Sequence, residues 1–467
     1  MAASFTSGSG ASNVGASSLK ATPDRYVSLN DLIGDYAKPD NRDLLVNTYG
    51  DQGITGFLTL TGATKNAGVA DEVQYWEEGR LHPKVEGAVS GSNPTVLTMD
   101  GTADDSIDLR LNDVLLSPTS ERLVVTGIND SDSNGLDDTY TVKRLDGAGD
   151  ATGSYSAGTQ FAVIGNIFAQ GTDQPGRFRE AGIKKRTNPF IITKETYAVN
   201  GSQATNIGWV DVGGGDYRWY VKGEQDTRKR FMNQREMMLL FGQLAATDGT
   251  ELAVPVDDST STAKVAGSEG YFAAVEDRGL VASVTGGTQG SFASMKDIDD
   301  IILELDKEGA PAEYAMYLNR KTSLDIDDML ANGIATQVTA GLPGQFGAFN
   351  NDADLAVQLG FKSFTRGGYT FHKHDWKLLN DPMLGGVCDI KGAMVPLANV
   401  ADPRTGNKAP ALEMNYKGTN GYDRDMEHWV RGSILGHTNL SKDVAEFYYR
   451  SECNLITRAA NQHVLLK

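Results

Sequence analysis

NPFIITKETYAVNGSQATNIG (188–208), followed by YRWYVKGEQDTRKRFMNQREMMLLFGQLAA (217–246), is the stretch that decides the fold. Its first part is β-branched and polar by turns, the pattern of an extended strand. Its second part is built from Arg, Lys, Gln, Met and Leu, all good helix formers, with Asp216 as a plausible N-cap behind the Gly213–Gly215 turn. The spacing predicts one helix over 217–246. At thirty residues it would span about 45 Å. Tyr217, Tyr220, Val221, Phe231, Met238, Leu239 and Phe241 lie toward its two ends and the middle is mostly polar, which suits a helix lying across a flat plate.

Upstream, residues 95–170 read as a compact all-β module. Ile107, Leu109 and Leu111 alternate with Asp108 and Arg110, Leu123 and Val125 with Val124 and Thr126, Tyr140 and Val142 with Thr141 and Lys143, and Phe161 and Val163 with Ala162 and Ile164, giving four short period-two strands. Turn clusters such as NDSDSNG (129–135) and DGAGDATGS (146–154) separate them, so a small inserted barrel or sandwich is expected. The acidic run 130–138 lacks the spacing of an EF-hand and reads as a hairpin turn. Before the module, Tyr75 and Trp76 stand in a polar segment with Arg80 close by. Large aromatics there point either to an interaction surface or to a local core anchor. After it, Arg177, Arg179, Lys184, Lys185 and Arg186 reverse the sign of an acidic chain. A solvated loop is the plain reading; an arm that meets an acidic patch on a neighbouring copy is the functional one.

Downstream, Met295, Ile298, Ile301, Ile302 and Leu305 form the apolar stripe of a helix at about 294–308, capped by Ser294 and ended by Gly309. YAMYL (314–318) reads as a buried strand. A helix at about 322–332 would turn Leu324, Met329 and Leu330 inward and stop at Gly333. Residues 360–382 read as a strand pair joined at Gly367–Gly368, and 388–397, 411–436 and 444–466 as further β-structure. Residues 1–24 are low in complexity and are expected to gain order only from neighbouring surfaces, with no N-terminal propeptide removed.

The 467 residues carry a net charge of −18, with 40% hydrophobic and 22% charged residues. This excludes a disordered chain, and no run of eighteen apolar residues is present to span a membrane as a helix. An acidic chain argues against an enzyme that grips nucleic acid, since phosphate contacts need a basic stripe. It leaves open a container whose acidic wall does not hold its contents. Cys388 and Cys453 sit among apolar neighbours and read as free buried thiols of a reducing cytoplasm. His372 and His374 would share one face of a strand and could ligate a metal, but no third ligand or HExxH stands near, so no metal or cofactor is expected. No GxSxG, P-loop or dinucleotide fingerprint occurs, and Asp423 with Asp425 is not singled out as a carboxylate pair.

The order of elements resembles the Hong Kong 97-type fold of tailed-phage major capsid proteins. The stretch 188–246 is similar to an extended loop descending into a spine helix, and NDVLL, VVTGI, YTVKRLDG and AGTQFAVIGN look like a β-insertion in that loop. GYDRDMEHWVRGSILG and SECNLITRAANQHVLL resemble the family's late and closing segments. The resemblance implies an α+β capsid fold divided as follows: an N-terminal arm over 1–50; an extended-loop region over 51–215, with the β-module at about 95–170; a peripheral domain over 216–345, containing the spine helix 217–246; an axial domain over 346–440; and a return to the peripheral domain over 441–467. It also implies a non-enzymatic subunit that assembles with copies of itself into hexamers and pentamers of an icosahedral virion shell. That shell would be built in the host cytoplasm around double-stranded DNA and meet portal, scaffold or decoration proteins, without a membrane. Lys65 and Lys194 do not match the family's crosslinking lysine, so no crosslink is expected. The alternatives are a tail-tube protein and a β-rich hydrolase assisted by a metal at His372 and His374.

Overall fold

The computed structural model describes residues 65–467 apart from 80, 83, 91–95, 100–108, 130–138, 150, 154, 176–181, 206–218, 246–251, 256–261, 340–361, 384, 402–407, 420 and 434–441. The expected N-terminal arm and the order of residues 1–24 lie outside the described residues. The described chain divides into two compact units. One holds Glu195–Met232 with His428–Tyr449, and the other holds the remainder.

In chain order, β1 (Lys65–Asn66) and β2 (Glu72–Glu78) precede β3 (Lys84–Ser90), β4 (Val96–Met99), β5 (Asp113–Leu116), β6 (Arg122–Asn129), β7 (Thr139–Arg144) and β8 (Tyr155–Asn166). Then come β9 (Ile183–Pro189), β10 (Ile191–Asn200), α1 (Gly201–Thr205) and α2 (Trp219–Phe241). The hairpin β11 (Leu252–Pro255) and β12 (Thr262–Val265), α3 (Tyr271–Arg278), β13 (Leu280–Ala282), α4 (Met295–Lys307), β14 (Glu313–Leu318) and α5 (Arg320–Thr339) follow. The last part contains β15 (Ser363–Arg366), β16 (Tyr369–Asp375), β17 (Gly392–Pro396), β18 (Val400–Ala401), β19 (Lys408–Ala409), β20 (Leu412–Tyr416), β21 (Gly418–Thr419), β22 (Tyr422–Asp423), β23 (Glu427–Gly432), β24 (Val444–Thr457) and β25 (Val464–Leu466).

The inserted module is a closed barrel in the order β3-β4-β7-β6-β5-β8. Period-two alternation puts Leu123, Val125, Tyr140, Val142 and Phe161 inside, where they meet Val85, Val89, Leu97 and Leu115. One expected strand is corrected. Leu109 is buried, but Leu111 is 49% exposed, and Asn112 takes a left-handed turn (φ 70°) closed by the Arg110 N–H on the Asp113 carboxylate at 2.7 Å. The strand begins only at Asp113. The barrel also starts earlier than expected, at Lys84.

The main sheet of the larger unit runs β13-β25-β17-β14-β16-β15. Alternate residues of β14 enter different cores. Tyr314, Met316 and Leu318 pack with Ile298, Ile301, Ile302 and Leu305 of α4. Ala315 and Tyr317 pack with Leu239 and Leu240 of α2, Tyr271 and Phe272 of α3, and Trp376. Both faces are therefore covered, which is why β14 reads as a continuous apolar run. At the start of α4 the Asp297 carboxylate accepts the Ala293 and Ser294 N–H groups at 2.8 and 3.0 Å. Gly367 and Gly368, at φ 58° and 86°, form the two-residue turn between β15 and β16.

The readings of α5 and α2 need correction here. The helix α5 runs through Gly333 to Thr339, since a single interior glycine costs only about 1 kcal/mol. Its buried face is Thr322, Ile326 and Met329, three and four residues apart, so Leu324 falls outside and is 47% exposed. The helix α2 ends at Phe241 instead of Ala246. There the backbone of Gly242 packs against Ser268 and Gly270, and a Cβ would collide with the Met238 and Ser268 carbonyls. In the main sheet β14 pairs parallel with β16, from Glu313 opposite Thr370 to Leu318 opposite Asp375.

A second sheet has the order β1-β20-β24-β10, with β23 also on β24. In the smaller unit, Phe231 and Tyr449 pack at 5.8 Å between ring centroids and Tyr197 and Phe447 at 6.1 Å. Gly223 is a glycine because the Tyr197 ring occupies the space of its side chain. In the larger unit, the buried Glu413 of β20 ties β1 and the end of β24 together through Lys65 at 3.2 Å and Arg458 at 2.9 Å. Burial pushes the Glu413 carboxyl up, but hydrogen bonds and charge from Arg458 and Lys65 outweigh it and hold it below its ordinary 4.5. A carboxyl lowered on folding stabilises fully above its unfolded value, and the contribution is lost as pH falls through the folded one. Urea titrations should therefore find Glu413→Gln less stable than the parent at neutral pH, with the gap closing below about pH 4. A gap unchanged across that range would refute the ion-pair role.

Candidate subunit interface

Between the main sheet and the barrel the chain forms a ribbon two strands wide. β2 leaves toward the barrel and β9 returns antiparallel to it, in register from Glu72 opposite Pro189 to Glu78 opposite Ile183. Seven residues at about 3.3 Å each make it roughly 23 Å long. Strand alternation gives it two faces. Val73, Tyr75, Glu77, Lys184, Arg186 and Asn188 share one, and Glu72, Gln74, Trp76, Glu78, Ile183 and Lys185 share the other.

This alternation separates the two aromatics. Tyr75 is buried and its phenol donates to the Thr457 carbonyl at 3.3 Å, with burial raising it to about 12. It is a core anchor, so its expected place on the subunit surface is corrected. Trp76 points the other way and is 65% exposed, as is Ile183 at 64%. The basic cluster divides similarly. Arg186 is held inside the ribbon by Glu77 at 3.1 Å, whereas Lys184 and Lys185 are exposed and form no ion pair with a described residue. Arg80, Arg177 and Arg179 lie outside the described residues.

The root of the ribbon is a polar cluster. The buried Asn188 donates to the Glu269 and Leu455 carbonyls at 2.9 and 2.7 Å. Its side-chain oxygen accepts from Ser268 Oγ at 3.1 Å and the Glu269 N–H at 2.9 Å, and its carbonyl accepts from Asn454 at 2.7 Å. Beside it, Arg278 grips Glu269 at 2.6 and 3.0 Å and reaches the Tyr75 phenol at 3.3 Å. Burial disfavours the Arg278 cation, but Glu269 outweighs this and its pKa is raised. The role of Arg278 was not visible in the sequence, because one partner lies 203 residues away. Asn188 opened the telling stretch without declaring its role.

The other candidate chemistry is engaged structurally. His374 stacks on Tyr317 at 5.1 Å, and burial with the neighbouring His372 lowers its pKa. No cluster of three metal-ligating side chains occurs among the described residues. Asp425 pairs with Arg235, and Asp423 accepts from Asn66 at 3.2 Å. Cys388 and Cys453 are free thiols, the latter buried. A depression of about 560 Å³ on α4 is lined by Asp300, Leu303, Glu304, Asp306 and Lys307, without a nucleophile and base in it.

No family model matches the chain, and no curated protein does. A capsid structure of the Cyanophage P-SCSP1u is 9% identical with a TM-score of 0.41, covering 95% of this chain and 98% of that one. A structure from Gordonia phage Cozz is 8% identical with a TM-score of 0.40, covering 96% and 97%. The SrpI encapsulin complex of Synechococcus elongatus PCC 7942 is 12% identical with a TM-score of 0.32, covering 62% and 77%. The solved structures that the chain is similar to thus include a phage capsid.

Proposed function

We propose that the chain is a shell-forming major capsid protein of a tailed bacteriophage, built on the Hong Kong 97-type plan. It would work by assembly into hexamers and pentamers around double-stranded DNA, in the host cytoplasm, and would meet portal, scaffold or decoration proteins. The observation that supports this best is the ribbon of β2 and β9. A two-stranded ribbon is marginal in water by itself, yet this one is rooted in its own core and carries an exposed tryptophan with two exposed lysines that form no ion pair with a described residue. Exposed aromatic residues of this kind are what protein interfaces cover. In this reading the extended loop is the ribbon with its barrel, and α2 is the spine helix. The interface residues are Trp76, Lys184 and Lys185, joined by Arg80, Arg177 and Arg179.

Electron microscopy of the purified protein tests the reading. Round hollow particles are the expected result. Tubes would place the chain among tail proteins, and a monodisperse monomer at high concentration would overturn the assembly role.

A further inference from the structure

The ribbon has two outer edges, and no described strand pairs with either. In an antiparallel pair, part of each strand's N–H and C=O groups point away from the partner, so each edge is a template for another strand. The edges carry opposite charge. β2 contains Glu72, Glu77 and Glu78 and no cation; β9 contains Lys184, Lys185 and Arg186 and no carboxylate. Arg186 and Glu77 pair within the ribbon; Glu72 and Glu78 are exposed on β2, as Lys184 and Lys185 are on β9. Pro189 stands at the last position of β9, so it spares the other N–H groups of that edge.

We propose that the ribbon is completed by a second copy of this chain, the β9 edge of one subunit pairing with the β2 edge of the next. The proposal rests on the shell reading above and names its contact. Charge selects the pairing. Joining β2 to β2 would set carboxylates against carboxylates, and β9 to β9 cations against cations. Only β9 to β2 brings opposite signs together. That contact is heterologous, so repeated copies form a ring when the rotation between them closes, as the shell reading requires. The exposed Trp76 and Ile183 share a face and would continue an apolar stripe from ribbon to ribbon.

Two variants of the full chain test this: Lys184→Glu with Lys185→Glu, and Glu72→Lys with Glu78→Lys. The first has two acidic edges and the second two basic ones. Each alone should form rings at a level reduced about ten-fold or more, because like edges now meet. An equimolar mixture should restore rings, and only even-numbered ones, counted by native mass spectrometry and microscopy. A defect confined within a variant's own ribbon could not be repaired by mixing, so rescue separates the contact from misfolding. Rings of normal yield from either variant alone, or a mixture that fails to recover, overturn the inference and leave the shell reading standing. Absence of any assembly from the unaltered chain removes both.

Discussion

Arg278→Met is expected to destabilise the larger unit by about 3–5 kcal/mol, the range found when one partner of a buried ion pair is removed. Both side chains are largely covered, at 11% and 16% exposure, and the contact is two-pronged at 2.6 and 3.0 Å. Methionine keeps much of the apolar stem but leaves Glu269 without its cation, and Tyr75 loses a donor at 3.3 Å. The double change Arg278→Met with Glu269→Gln should recover part of the loss, since no buried charge remains unpaired. Arg278→Lys should fall between, because a point charge replaces a planar fork. Urea midpoints and amide exchange along β2 measure the effect. A single variant as stable as the parent would show that the pair does not fasten the ribbon.

Asn188→Ala should cost about 3–4 kcal/mol. Four side-chain hydrogen bonds disappear, and the buried partners left unsatisfied cost about 1 kcal/mol or more each. Asn188→Asp preserves shape and should be no better. A carboxylate cannot donate, and it would face the Glu269 and Leu455 carbonyls that the amide now satisfies. Exchange of the β9 amides should rise in both variants while the barrel core around Tyr140 and Phe161 keeps its protection, because that cluster is closed on itself. Equal loss of protection in barrel and ribbon would instead mean that the two unfold together.

These two residues place the rigidity of the ribbon at its root, and the exposed edges place its incompleteness along its length. A subunit designed to stay alone would cover or blunt such edges. Here no described strand covers either edge, and the carboxylates of β2 provide the sign that the lysines of β9 would meet.

Where local physics is strong, the chain could be read directly. The Gly367–Gly368 turn was legible because two successive positive φ angles favour glycine, and α4 because a stripe at three- and four-residue spacing follows a capping Ser294. The barrel core was legible through period-two alternation at Leu123, Val125, Tyr140 and Val142. By itself, then, the sequence determined the larger elements with strong local signals, their order and the insertion of a β-module, but not α3, the β11–β12 hairpin or β13. Tertiary structure decided the rest. It set the phase of α5, where Leu324 and Ile326 are equally apolar and only the packed sheet chooses between them. It ended α2 at Phe241 through the close backbone approach at Gly242. It turned Tyr75 inward and Trp76 outward, because adjacent strand residues must face opposite ways and the core lies on one side only. It also joined Asn188 and Arg278 into one root, since hydrogen bonds and ion pairs act across space and leave no periodic trace in the chain.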